Sequence, residues 1–251
     1  MRILARTYGV ILAAMCWPQD ACAAERFIPD CAGQVAIAHA RVARVDQDGA
    51  LVLADGRILI LEGVRLPPPG FREQALTALR AMVASGPVNF TITAPEKDRY
   101  DRLRVQGFGQ EWLQLSLLEH GLARVMIAPD RNECAPDLYE AESRARARQA
   151  GIWALADYRV RTPQTLQGAA GSFQLVEGKV GSVSRTDGRT FIFFDRKFAA
   201  VIEPQDRRAF RDFDFDELSA RRIRLRGMVQ DDHGRLRIML SSPSQIELLD
   251  N

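Results

Sequence analysis

The run ALVLADGRILIL, residues 50–61, restricts the fold more than any other stretch of the chain. Two aliphatic segments flank Asp55-Gly56, a dipeptide suited to the tight turn of a β-hairpin because its backbone tolerates positive φ. Upstream, VAIAHARVARV sets Val35, Ile37, His39 and Arg41 against small residues, with the two-residue period of a strand. Helical spacing then takes over. Ala75, Leu76, Leu79, Met82 and Val83 form one stripe between Phe71 and Ala84, which Gly86-Pro87 stops. VNFTIT and the stretch after DRYDR predict two more strands. EWLQLSLLEHGLARV predicts a short helix ended by Gly121, and PDLYEAESRARARQAGIW a longer one capped near Asp137 and ended by Gly151. The order is three strands, a helix, two strands and two helices.

Residues 159–172, RVRTPQTLQGAAGS, are polar and show neither period, which predicts a linker. Strands resume in FQLVEGKVGSVSR, TFIFF after an Asp187-Gly188 turn, and AAVIEP. A helix over Gln205 to Phe210 precedes RRIRLRGMVQ, the turn DDHG and RLRIML, with QIELL as a possible final pairing. Five short strands with a helix between the third and fourth is the order of an OB-fold barrel. The expected fold is therefore mainly β with α (α+β). It comprises an N-terminal domain over 25–158, a linker over 159–172 and a small OB-fold-type barrel over 173–251.

The first thirty residues differ in kind. MRILAR is basic, YGVILAAMCW apolar, and ACAAE a small-residue cleavage pattern, the layout of a secretory signal peptide over 1–24 cut near Ala23 or Ala24. The apolar run is too short to span a bilayer. A lipoprotein anchor on Cys16 is the rival, with Met15 where a small residue is wanted. Export, periplasmic or secreted, leaves Cys31 and Cys134, which predict a single disulfide in an oxidising compartment. The formal net charge of +2 leaves the class of partner open.

GALVLADGRILILEGVRLPPPG, DRYDR, LLEHGLARV and EAESRARARQAGIW occur in an order and spacing that resembles the thermonuclease (staphylococcal-nuclease-like) family, over roughly residues 34 to 155. The later module resembles, more weakly, the OB-type domain that follows such domains in some bacterial proteins. The resemblance implies an OB barrel with added helices and, in active members, calcium-dependent cleavage of DNA or RNA. Two aspartates hold the ion, a glutamate is the general base, and two arginines bind the scissile phosphate. Carried over, the loop glycine is Gly63 and the loop proline Pro67. The first phosphate arginine falls on Ile60, a calcium aspartate on Arg65 and the base on Pro68. The other calcium aspartate falls on Gly49, one step from Asp48. Arg102 keeps the second arginine position, with Asp101 where the family usually has glycine.

Arg65 would repel a divalent ion and Pro68 takes no proton, so the resemblance predicts a frame without its chemistry. Asp48 and Glu62 are the residual oxygen donors, too few for calcium, which takes six to eight. No cofactor is expected unless nuclease activity survives. ILILEGVRLPPPG is read as a strand over Ile58–Leu61 and, past Glu62, a loop that opens the helix at Phe71. Arg102 is read either as a phosphate ligand or as one half of a local ion pair with Asp98 or Asp101. His39, His120 and His233 lie in three separate elements and predict no metal site. In the second module, Arg222, Arg224 and Arg226 alternate with Ile223 and Leu225, and Arg235 and Arg237 with Leu236 and Ile238. Pairing across DDHG would put five arginines on one outer face, suited to a phosphate backbone but lacking an aromatic platform, since Phe191, Phe193 and Phe194 read as half core. The functions expected are an inactive module binding nucleic acid or a protein partner, a divergent nuclease, or a structural envelope or assembly factor.

Overall fold

A computed structural model describes residues 28–93, 97–129 and 133–249. The expected signal segment with its cleavage site, and the alternative anchor at Cys16, lie outside the described residues. Among those described, no helix is long and apolar enough to cross a membrane.

The first module begins with β1 (Val35–Ala40) and β2 (Val42–Val45), one strand bent at Arg41. The bend starts at His39, whose φ of 50° accompanies a register shift and whose N–H donates to the Asn89 side chain at 2.8 Å. β3 (Leu51–Leu53) and β4 (Ile58–Leu61) form the hairpin expected around Gly56, where φ is 88°. Next come β5 (Gly63–Arg65), α1 (Arg72–Ala84), β6 (Val88–Ile92), β7 (Leu103–Phe108), α2 (Leu113–Glu119), β8 (Arg124–Met126) and α3 (Ala135–Ala147). The sheet order is β1-β6-β7-β4-β3-β2, with β4 and β7 parallel. Leu51, Leu59, Phe90, Val105, Leu117 and Leu138 fill its core. Each such fully buried side chain contributes about 2 kcal/mol.

Two expectations change. Gly63–Arg65 is not loop but β5, paired antiparallel with β8 so that Val64 faces Val125 and Arg65 faces Arg124. Three residues are too few to show a period, and the partner strand is distant in sequence. The last helix starts at Ala135, before Asp137, with Cys134 at its cap and Pro136 in its first turn. Cys134 is bonded to Cys31, as expected, with the two Cα atoms 5.1 Å apart.

The second module contains β9 (Phe173–Lys179), β10 (Ser182–Thr186), β11 (Arg189–Phe193), β12 (Phe198–Ile202), a 3-10 helix at Pro204–Phe210, β13 (Arg222–Asp232), β14 (Arg235–Met239) and β15 (Ile246–Leu248). Its order β10-β11-β12-β14-β13, with β9 and β15 on the first half of β13, repeats that of the first module. In both, the fifth strand lies between the third and the fourth and runs parallel to the third, and a helix separates third from fourth. Each first strand serves both edges by bending, at Arg41 and at Val180-Gly181, so the sheets curl back on themselves without closing into the barrels expected. The stretch 159–172 is packed: Leu166 is fully buried, and Arg161 exchanges backbone hydrogen bonds with Leu175 and Glu177 at 2.8 Å each.

The modules meet along a charged seam. Arg226 of β13, only 2% exposed, donates to Glu142 of α3 at 3.0 Å, to the Val125 carbonyl at 3.2 Å and to Glu247 of β15. Glu142, fully buried, also accepts from Arg146 at 2.6 Å and from the Val125 N–H at 2.8 Å. Arg224 bridges Glu177 and Glu247. Tyr139 lies under the Arg226 guanidinium, 4.3 Å from its ring centroid, and donates its hydroxyl to the Ser244 carbonyl. Burial pushes that hydroxyl up to about 12, so it remains a donor at ordinary pH.

Candidate nucleic-acid interface

The family-type cleft of the first module is a hollow of about 620 Å³ between β4, β5, the turn before β3 and the start of β7. Asp46 builds its rim: its Oδ1 accepts the N–H groups of Asp48 and Ala50 at 2.9 and 2.8 Å, and Gly49 takes φ 88°. A Cβ on Gly49 would run into the Leu66 side chain, so no carboxylate fits there without rearrangement. Asp48 turns instead to Arg72, at 2.9 Å. Arg72 also donates to the Pro67 carbonyl at 2.9 Å, which ties the triple-proline turn to α1. Ile60, Glu62 and Arg65 all line the hollow, while Pro68 is exposed and lines a neighbouring one. Glu62 is buried and has Arg104 at 3.6 Å.

Arg102 reaches the same cleft, and its Nε and Nη2 donate to Asp98 Oδ2 at 2.8 and 2.7 Å. Asp98 Oδ1 accepts the N–H groups of Tyr100 and Arg102, and Asp101 takes φ 61° to make that turn. Burial would raise the Asp98 carboxyl, but these bonds, led by Arg102, outweigh it and hold the group below its ordinary value. The Asp98 pair, with the Tyr100 ring 4.9 Å from the guanidinium, holds the arginine where it lines the cleft. Calcium does not fit these residues. Asp48 and the Glu62 carboxylate both have guanidinium neighbours, and among the described residues no three of His, Cys, Asp and Glu are grouped to hold an ion. His39, His120 and His233 lie apart, in a strand bend, at the end of α2 and in the β13–β14 turn.

The five arginines of the second module do not share one open face. Only Val229–Asp232 pairs with β14, while Arg222–Met228 pairs with β9. Arg226 is buried in the seam, Arg224 is held by Glu177 and Glu247, and Arg222 lies 3.6 Å from Glu177. The docking of α3 decides this for Arg226 and the carboxylates of β9 and β15 for Arg222 and Arg224, neither of which a period-two pattern shows. Arg235 and Arg237 go elsewhere, to a groove of about 710 Å³ that also takes in Phe191, Phe193, Arg196 and Lys197.

That groove carries an aromatic platform, which the alternation of arginines did not predict. Thr190 and Ile192 point inward and are buried, so Phe191 and Phe193 share the outer face of β11 and are half-exposed. Their rings stack at 5.6 Å and 9°, with the Arg237 guanidinium 6.0 Å from the Phe191 centroid. Asp232 pairs with Arg237, while Arg235 and Arg196 have no carboxylate within salt-bridge distance among the described residues. The signal was present as the alternation in TFIFF.

No curated protein matches the chain. Residues 63–155 match the family model described as Staphylococcal nuclease homologue. The matched span runs from β5, which carries Arg65, through Arg102 to the 3-10 turn at Trp153, and it is a staphylococcal-nuclease-like domain.

Proposed function

We propose that the chain binds single-stranded nucleic acid without hydrolysing it, and that it works outside the cytoplasm. A nuclease-like domain implies dealings with nucleic acid. The observation that carries the reading is the second-module groove, where two stacked, half-exposed phenylalanines lie among four cationic side chains. Bases stack on exposed aromatic faces whatever their identity, and the cations follow the phosphates. In the first module Arg102 lines a cleft whose family base and metal positions fall on Pro68, Arg65 and Gly49. That arrangement supports phosphate contact and puts no proton acceptor at the family's base position, while the Glu62 carboxylate is buried with Arg104 at 3.6 Å. The disulfide and the signal-like start support an exported protein.

The test is affinity for a single-stranded oligonucleotide against salt concentration, beside a cleavage assay with calcium or magnesium. Binding that weakens steeply with salt and drops about tenfold in Phe191→Ala or Arg235→Ala/Arg237→Ala is expected. A flat salt response would sink the binding claim. Cleavage that copurifies and disappears in Arg102→Ala would instead establish a divergent nuclease built on Asp48, Glu62 and Arg102.

A further inference from the structure

A neighbouring pocket of about 370 Å³, which shares Arg65, Leu66 and Arg72 with the first-module cleft, opens where the modules meet, with Phe71, Arg124, Tyr158 and Phe173 among its other walls. Arg124 is 8% exposed and stacks between two rings, 5.0 Å from Tyr158 and 4.7 Å from Phe173. One of its nitrogens donates to the Phe173 carbonyl at 2.7 Å. No carboxylate lies within salt-bridge distance of it among the described residues. A guanidinium this far from water without a counter-ion is costly. Burial, together with the nearby Arg65 and Arg226 charges, pushes Arg124 down to about 10 despite Tyr158 and Glu142.

Arg65 compounds the imbalance. Its guanidinium approaches the same Phe173 ring at 5.8 Å and is exposed, with the Met126 sulfur at 3.7 Å as its polar neighbour. The pocket thus holds two cations beside one ring, neither with a carboxylate at salt-bridge distance among the described residues. Arg72, also in the lining, is already paired with Asp48, and the lining's carboxylate, Asp157, is exposed. Phe71, 40% exposed, meets Tyr158 edge-on at 6.0 Å. An anion would offset the two charges, and a flat apolar group would cover Phe71.

We propose that this junction pocket binds a nucleotide, its phosphate against Arg65 and Arg124 and its base against Phe71. The volume lies in the range of small-molecule sites. The guanidinium at position 65, which is at odds with a cation in the family cleft, is what makes this neighbouring anion site. None of its walls belongs to the second-module groove, so either site can exist without the other.

The test is calorimetric titration of the whole chain with 5′-adenosine monophosphate, adenosine and inorganic phosphate. The nucleotide is expected to bind at least about tenfold more tightly than either part, since a charge-assisted contact and a stacking contact act together. Arg65→Ala, at an exposed position that leaves the fold intact, weakens the nucleotide about tenfold, and Arg65→Lys restores part of the loss. Phe71→Ala weakens the nucleotide but not phosphate, and Phe191→Ala weakens neither. No nucleotide binding at millimolar concentration overturns the site, as does equal binding of adenosine or an unchanged Arg65→Ala. Phosphate binding as tightly as the nucleotide overturns the base contact and leaves an adventitious ion only. Tetranucleotides with and without a 5′-phosphate separate a strand end from a free mononucleotide; preference for either phosphorylated form supports the site.

Discussion

Replacing Arg226 with methionine tests the seam directly. The substitution keeps side-chain bulk and removes a cation that touches Glu142, Glu247 and the Val125 carbonyl at a position 2% exposed. Breaking a buried ion pair by deleting one partner costs about 3–5 kcal/mol, because the other charge stays buried. Here neither carboxylate is left bare. Glu142 keeps Arg146 at 2.6 Å and the Val125 N–H at 2.8 Å, and Glu247 keeps Arg224 at 2.8 Å. The loss therefore falls at the low end, about 3 kcal/mol. Urea unfolding followed both by tryptophan fluorescence and by far-ultraviolet circular dichroism reads it. Trp153 packs with Phe173 and Leu175 at the junction, so the fluorescence transition should move to lower urea and separate from the dichroism transition. The pH response gives a second reading. Burial alone would raise the Glu247 carboxyl, but Arg226, Arg224 and Arg146 outweigh it and hold it below its ordinary 4.5. Its stabilisation is complete above pH 4.5 and is lost as pH falls through the depressed folded value. Arg226→Met should flatten that acid limb. A variant within about 0.5 kcal/mol of the parent, with the acid limb unchanged, would refute the reasoning.

Gly121→Ala should cost more than about 2 kcal/mol by thermal or urea unfolding. Gly121 sits at φ 64°, its carbonyl accepts the Ile152 N–H at 2.9 Å, and a Cβ there would run into the Ala150 carbonyl. Gly56→Ala, at φ 88° in open space, should cost less, and a reversal of that order would count against the close-approach argument. Reducing the Cys31–Cys134 bond, which closes 103 residues of chain, should lower stability by about 2–4 kcal/mol; an unchanged midpoint under reductant would contradict this.

Much of the fold was legible because it is local. The turns at Gly56, Gly188 and Gly234 announce their hairpins, and the stripe from Ala75 to Val83 announces α1. The glycines in LLEHGLARV and AGIW read only as helix stops, and their backbone contact emerges with the packing of α2 against α3. The pairing of β5 with β8 was illegible for a similar reason: each strand is three residues long and carries no pattern of its own. At the cleft, the sequence alone gives the residue types at Ile60, Arg65 and Pro68, because naming them needs no packing. Arg226 was misplaced on an outer face because alternation separates the two sides of a strand without saying which side another domain covers. Phe191 and Phe193 are half-buried as expected, but that they stack into a platform beside Arg237 shows only once β11 pairs with its neighbours and Thr190 and Ile192 fill its inner side.

The seam around Arg226 also bears on avidity. Because α3, β13 and β15 are locked together, the first-module cleft and the second-module groove are carried on one body at a set spacing. On the binding proposed above, a strand that has engaged one of them approaches the other intramolecularly, with an effective concentration fixed by that spacing. The slack needed to reach both must come from the nucleic acid. Affinity should therefore rise in a step once an oligonucleotide is long enough to span the two, and change little on either side of that length.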